Sequence, residues 1–182
     1  MRPGSQDDDL ELTVDAAVEL TNVFHEGADP EAVRAVLAER EFLYAPTADE
    51  AQLRECIHRF GPVAAIVATL PEADLDAAVH RLNDELGACN VSPSLVAHDD
   101  APLHIHWTSP HATFGHKVVV DVLMGLSQTL CEEGLARFGR CSAEGCRRLF
   151  YDATRNRSRR FCSDPRCASR THTARHRARH RS

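Results

Sequence analysis

Two CxxxxC pairs constrain this chain more than any other feature. They lie in RCSAEGCRRLFYDATRNRSRRFCSDPRC, where Cys141 and Cys146 precede Cys162 and Cys167, with 15 residues between the pairs. Each pair flanks a short turn, one containing Gly145 and the other Pro165, and such turns aim both sulfurs of a pair inward. Two of them supply the four thiolates that a structural zinc ion takes in tetrahedral geometry, although a four-residue gap is at the wide edge of the usual spacing. With sulfur at every position no place remains for water or substrate, which points to a structural and not a catalytic metal. Redox centres commonly use CxxC, which is absent.

The remaining cysteines, Cys56, Cys89 and Cys131, lie in helix-like apolar patterns and read as small buried hydrophobes. A total of seven is odd and argues against a complete disulfide framework. The opening MRPGSQDDDLELTVD has no apolar stretch of signal-peptide length, and nowhere do about 18 apolar residues run together. The expectation is therefore a cytoplasmic, nucleoid-associated protein with no membrane partner. In a reducing compartment paired cysteines favour metal over disulfides.

The formal net charge of -6 hides a division. Residues 1–138 hold 8 Lys and Arg against 24 Asp and Glu, a net of -16, while residues 139–182 hold 13 against 3, a net of +10. A segment this basic on an acidic carrier suits polyanions, because Coulomb attraction and counterion release favour phosphate backbones. The candidate contacts are Arg155, Arg157, Arg159 and Arg160 in the loop before Cys162, and Arg170, Arg175, Arg177 and Arg179 on a helix after Cys167. His172, His176 and His180 follow at i, i+4 steps and share one face of that helix. The preference for Arg fits bidentate recognition of phosphate or guanine. Asp152 is expected to pair with a nearby arginine and order the loop.

A module of about 40 residues buries little apolar surface, so zinc would supply much of its folding free energy. Leu149, Phe150, Tyr151 and Phe161 are expected to form its miniature core, with Tyr151 the most open of the four to base stacking.

The preceding region reads as mostly helical. Leu10, Leu12 and Val14 alternate as a short strand running into a helix over 15–24. Asp29 caps a helix whose first residue is Pro30. Thr47 and Glu50 form a candidate capping box for a helix over 48–60, interrupted by Gly61-Pro62 before an apolar run over 63–70. PEADLDAAVHRLNDELG is helical from its proline to Gly87. PSLVAH and LHIHWTS read as a hairpin turning at DDAP, and 111–138 as a long amphipathic helix. The fold class is α+β, with a mostly helical acidic domain over 9–138 carrying a small antiparallel element, then a small four-cysteine zinc finger with a basic C-terminal helix over 139–182.

The C-terminal segment resembles the CGNR zinc finger. The likeness rests on the two Cys pairs, Phe150-Tyr151-Asp152, Thr154-Arg155-Asn156, Arg159-Arg160-Phe161-Cys162, and Cys167 followed by ASRTHTARHRARH. The namesake motif reads Cys167-Ala168-Ser169-Arg170 here, and Phe161 stands where the family usually has Trp. LTVDAAVELTNVF, LNDELGACNVSPSLV and the hairpin before a long helix resemble the ABATE domain, which accompanies this finger in actinobacterial stress-induced transcription regulators. The resemblance implies a zinc-containing, DNA-binding regulator whose N-terminal domain senses a signal.

Other classes rank lower. RNA as the partner would call for exposed aromatic platforms, of which Tyr151 is the one candidate. A protein-interaction role would let the basic finger dock on acidic partners, the acidic body among them, and a homodimer is an allowed assembly. The His104-Ile105-His106 triplet invites a metal-hydrolase reading, yet no HExxH and no carboxylate at helpful spacing accompanies it, so an enzyme is not expected.

Overall fold

The computed structural model describes residues 6–42, 44–97 and 103–179, with the side chains of 6–8, 175, 176, 178 and 179 outside that description. It has the expected α+β class. Helix α1 runs over Gln6–His25, so the strand expected at 10–14 is helix instead. Alternation over three residues is outweighed by the longer period that puts Val14, Ala17 and Val18 on one buried face.

Helix α2, Pro30–Glu39, starts as expected, with the Asp29 carboxylate accepting from the Ala32 N–H and Val33 and Leu37 facing inward. Helix α3, Glu50–Val67, uses a different cap from the one expected. Asp49 accepts from the Gln52 N–H at 2.8 Å, and the Gln52 side chain accepts from the Asp49 N–H at 2.8 Å. Thr47 belongs to the preceding 3-10 turn, Ala45–Thr47. Nor does Gly61-Pro62 break α3. Pro62 is exposed, so the carbonyl it leaves without an N–H partner can meet water, while buried Phe60, Val63, Ile66 and Val67 hold the turns on either side.

A second 3-10 turn, Leu70–Glu72, takes up the proline of PEADL, and α4 runs over Leu75–Ala88 with Asp74 as its cap. Strands β1, Ser94–Val96, and β2, His104–His106, pair antiparallel, with Leu95 opposite Ile105. The expected DDAP turn between them lies outside the described residues. Helix α5, Phe114–Glu133, is shorter than the expected 111–138 and is buried on most sides, from Phe114 and Val118 to Leu130. It packs against α1, α3 and α4. Gly115 permits the close crossing of α3, since a Cβ there would lie 2.6 Å from the Cys56 Cα. Glu55 on α3 ties down the same end, accepting from the Gly115 N–H at 2.8 Å and the Thr113 hydroxyl at 2.7 Å.

After a turn at Gly134, β3, Phe138–Arg140, pairs antiparallel with β4, Leu149–Tyr151, and α6 covers Pro165–Arg179. None of the cysteines forms a disulfide. Cys56 is buried as expected, and burial pushes its thiol up to about 12. Cys131 is exposed, contrary to its assignment as a buried hydrophobe, because its position on the last turn of α5 faces solvent. No helix is long and apolar enough to cross a membrane among the described residues.

Candidate metal centre and cationic surface

The four paired cysteines converge. Their sulfurs all lie within 4.8 Å of one another, with Cys146 and Cys162 3.9 Å apart and Cys162 and Cys167 3.7 Å apart. Sulfurs bound tetrahedrally at the usual Zn–S length of about 2.3 Å stand about 3.8 Å from each other. The thiols therefore stand close to the corners that one structural Zn2+ requires, and the all-sulfur donor set leaves no corner for substrate.

Two knuckles present these thiols. In the first, Gly145 has φ +75, a left-handed conformation that side chains other than glycine adopt at a cost, and the Cys146 N–H donates to the Ala143 carbonyl at 3.0 Å. In the second, the Cys167 N–H donates to the Asp164 carbonyl at 3.0 Å, and Pro165 starts α6. Cys167 sits in the first turn of that helix. The Ser142 N–H donates to the Arg160 carbonyl at 2.8 Å and joins the two knuckles. Burial pushes the Cys162 thiol up to about 12. Burial acts on Cys141 in the same sense, but backbone N–H groups of Cys162 and Ala143 outweigh it and hold that thiol below its ordinary value. A bound dication removes the need for protons at all four sites.

The expected miniature core is divided. Cys141, Ala143, Cys162 and Cys167 cluster with partly buried Cys146 and Phe161, whereas Leu149 and Tyr151 join Phe138 in the core of the helical body. The two-residue period of β4 explains this: it turns Leu149 and Tyr151 to one face and Phe150 to the other, where the Arg159 guanidinium lies 5.6 Å from the Phe150 ring centre. Tyr151 is thus 4% exposed, too buried to be a stacking platform.

Residues that the sequence reading did not single out hold the hairpin. Asn22 on α1 accepts from the Leu149 N–H at 2.8 Å and donates to the Leu149 carbonyl at 3.1 Å, as a strand partner would. Arg148 pairs with buried Glu19 at 2.6 Å and also with Glu26. The one signal for this in the sequence is a polar Asn inside the apolar run of α1. Asp152 orders the following loop as expected, but mainly through donors other than arginine side chains: it accepts from the Thr154 N–H at 2.9 Å, the Thr154 hydroxyl at 2.5 Å and the Arg159 N–H at 2.7 Å. Burial alone would raise its pKa, yet these bonds, with Arg137 nearby, hold the carboxyl below the usual carboxylate range. Arg137 meanwhile donates to the Asp152 backbone carbonyl at 2.8 Å.

The eight candidate arginines fall into four groups. Arg155, Arg160, Arg170 and Arg177 are exposed. Arg157 pairs with Glu133. Arg159 is half-buried and donates to the Phe161 and Tyr151 carbonyls, both at 2.9 Å. Arg175 and Arg179 lie on α6, and their side chains, like His180 beyond it, are outside the described residues. Arg147, absent from the candidate set, is exposed beside Cys146. His172 is not drawn into the metal cluster, and its ring meets Phe161 edge-on with centres 5.9 Å apart.

No curated protein matches the chain. Residues 137–180 match the family model of the CGNR zinc finger, a span that contains the four thiols, the β3–β4 hairpin and α6. The finger of this chain, with its metal site, is thus supported as a CGNR zinc finger.

Proposed function

We propose that the chain is a DNA-binding transcription regulator in which the zinc finger and α6 contact duplex DNA and the helical body, ABATE-like in sequence, is the regulatory module. The observation that carries this reading is the set of exposed arginines, Arg155, Arg160, Arg170 and Arg177, around a four-thiol cluster. A bound zinc ion fixes the knuckles and the start of α6, so these cations are ordered before they meet a phosphate backbone and lose less entropy on binding. Arg157 and Arg159 are engaged within the protein and leave the primary contact set; exposed Arg147 joins it. Helix α6 is highly polar and shows no apolar stripe to fill a protein groove, in keeping with a helix that lies against nucleic acid. Burial of Tyr151 removes the aromatic platform that an RNA partner would favour.

The test is binding of the zinc-loaded full chain to duplex DNA, hairpin RNA and single strands at several ionic strengths. On the order of 5 phosphate contacts give a log-log salt slope of about -4 to -5 on duplex DNA. Arg155→Ala and Arg170→Ala should each reduce that slope by about 1. A flat salt response, or tighter binding to hairpin RNA than to duplex, overturns the proposal.

A further inference from the structure

The β1–β2 hairpin carries two histidines that the DNA-binding reading does not use. His104 and His106 are two residues apart on β2, which puts both rings on one face. Their Nε2 atoms are 3.1 Å apart, and the rings are tilted by 51° with centres 5.0 Å apart. That face is the half-buried one in both strands, while Leu95 and Ile105 point outward. Ser94 stands directly opposite His106. Its hydroxyl is buried and has no hydrogen-bond partner among the described residues.

We propose that His104 and His106 form a second metal site, distinct from the thiol cluster, for a borderline divalent ion such as Zn2+ or Ni2+. An ion about 2.05 Å from both nitrogens 3.1 Å apart would see them at an angle of about 98°. That falls between the roughly 90° of an octahedral shell and the 109° of a tetrahedral one. Imidazole nitrogen suits zinc, nickel and copper, while calcium and magnesium prefer oxygen. Among the described residues the Ser94 hydroxyl is the polar group placed to bond a water on such an ion from across the strand pair. The site differs from the finger in chemistry as well as place: nitrogen ligands against sulfur.

The experiment uses the full chain with its finger already loaded with zinc, dialysed against Ni2+ near neutral pH and measured for both metals. One Ni2+ per chain is expected beyond the finger zinc. His104→Gln and His106→Gln should each abolish it without releasing the zinc, and His172→Gln on α6 should leave it intact. In the unaltered chain, paramagnetic Ni2+ should broaden the ring resonances of His104 and His106 first, a reading that does not depend on any variant folding. No uptake of Ni2+, or uptake that survives His104→Gln and vanishes in His172→Gln, overturns the site.

Discussion

The helical body and the finger solve the same problem with different materials. The body closes on Leu, Val, Ile and Phe side chains from α1 to α5. The cluster of the finger consists of four cysteines, Ala143 and the flank of Phe161, too little apolar surface to hold a fold on its own. The boundary between the two modes lies inside the finger segment. Leu149 and Tyr151, between the two Cys pairs in sequence, belong to the body's core, and Asn22 grips the strand they sit on. What a residue is held by follows the face it presents and not its place in a motif.

The largest effect should come from removing the metal. Cys162→Ser deletes one of four ligands and a strong chelator strips the ion itself, and metal binding is folding free energy in modules of this kind. Zinc content should fall from one equivalent to none and α6 should lose its helix, while the body keeps a cooperative thermal transition. Loss of that transition would show that the two regions are a single cooperative unit. Next in size is Leu149→Ala. At 1% exposure it should cost about 2–5 kcal/mol in the main transition of the body, measured by denaturant unfolding, with zinc retained. A cost below about 1 kcal/mol would return Leu149 to the finger.

The thiol cluster was readable because metal coordination depends on residue type and spacing, and both are local. The Asp29 cap, the antiparallel pairing around Leu95 and Ile105, and the long apolar repeat of α5 were readable for the same reason. Three features were not. The course of α1 through Leu10 and Val14 depends on which face finds a core, and three residues cannot distinguish the two periods. Continuity of α3 past Pro62 depends on Phe60 and Val63 being buried against other helices, which outweighs a local breaker. The docking of Leu149 and Tyr151, with the Asn22 clamp, joins residues 127 positions apart, and such pairings leave no periodic trace. The same limit concealed Glu133 as the partner of Arg157.

Two aspartates sharpen the comparison by pH. Burial raises Asp121, on α5 in the body, to about 6, only partly opposed by Lys117. Its folded value thus lies above the ordinary 3.8, so the protonated form is favoured in the folded state. The stability it confers is fully present below the unfolded value and is lost as pH rises through about 6. The difference corresponds to roughly 3 kcal/mol. Asp121→Asn should therefore stabilise the protein by about 2–3 kcal/mol near pH 8 and flatten the pH dependence between about 4 and 6. Asp152 has the opposite sign: its value is lowered, so its contribution is present above the unfolded value and disappears as pH falls. Asp152→Asn should cost about 1–3 kcal/mol at neutral pH. Like signs for the two variants in pH-dependent unfolding would erase the distinction between an acid buried without enough partners and one held by three donors.

The smallest expected effect concerns the seam where the acidic body meets the basic finger. Glu133 on α5 pairs with both Arg137 and Arg157, and hydrogen bonding from Arg137, followed by the charges of both arginines, holds its carboxyl below the usual range. Arg157 thereby has a carboxylate from the body where a phosphate could otherwise sit. Glu133→Gln removes that competitor while leaving the zinc ligands untouched. If the finger binds duplex DNA, the freed Arg157 should steepen the log-log salt slope by up to about 1 and tighten binding several-fold at low salt. The double variant Glu133→Gln with Arg157→Ala should return both to the starting values. A gain that persists without Arg157 would mean that the whole negative field of the body repels DNA, and the comparison would then rest on net charge and not on one ion pair.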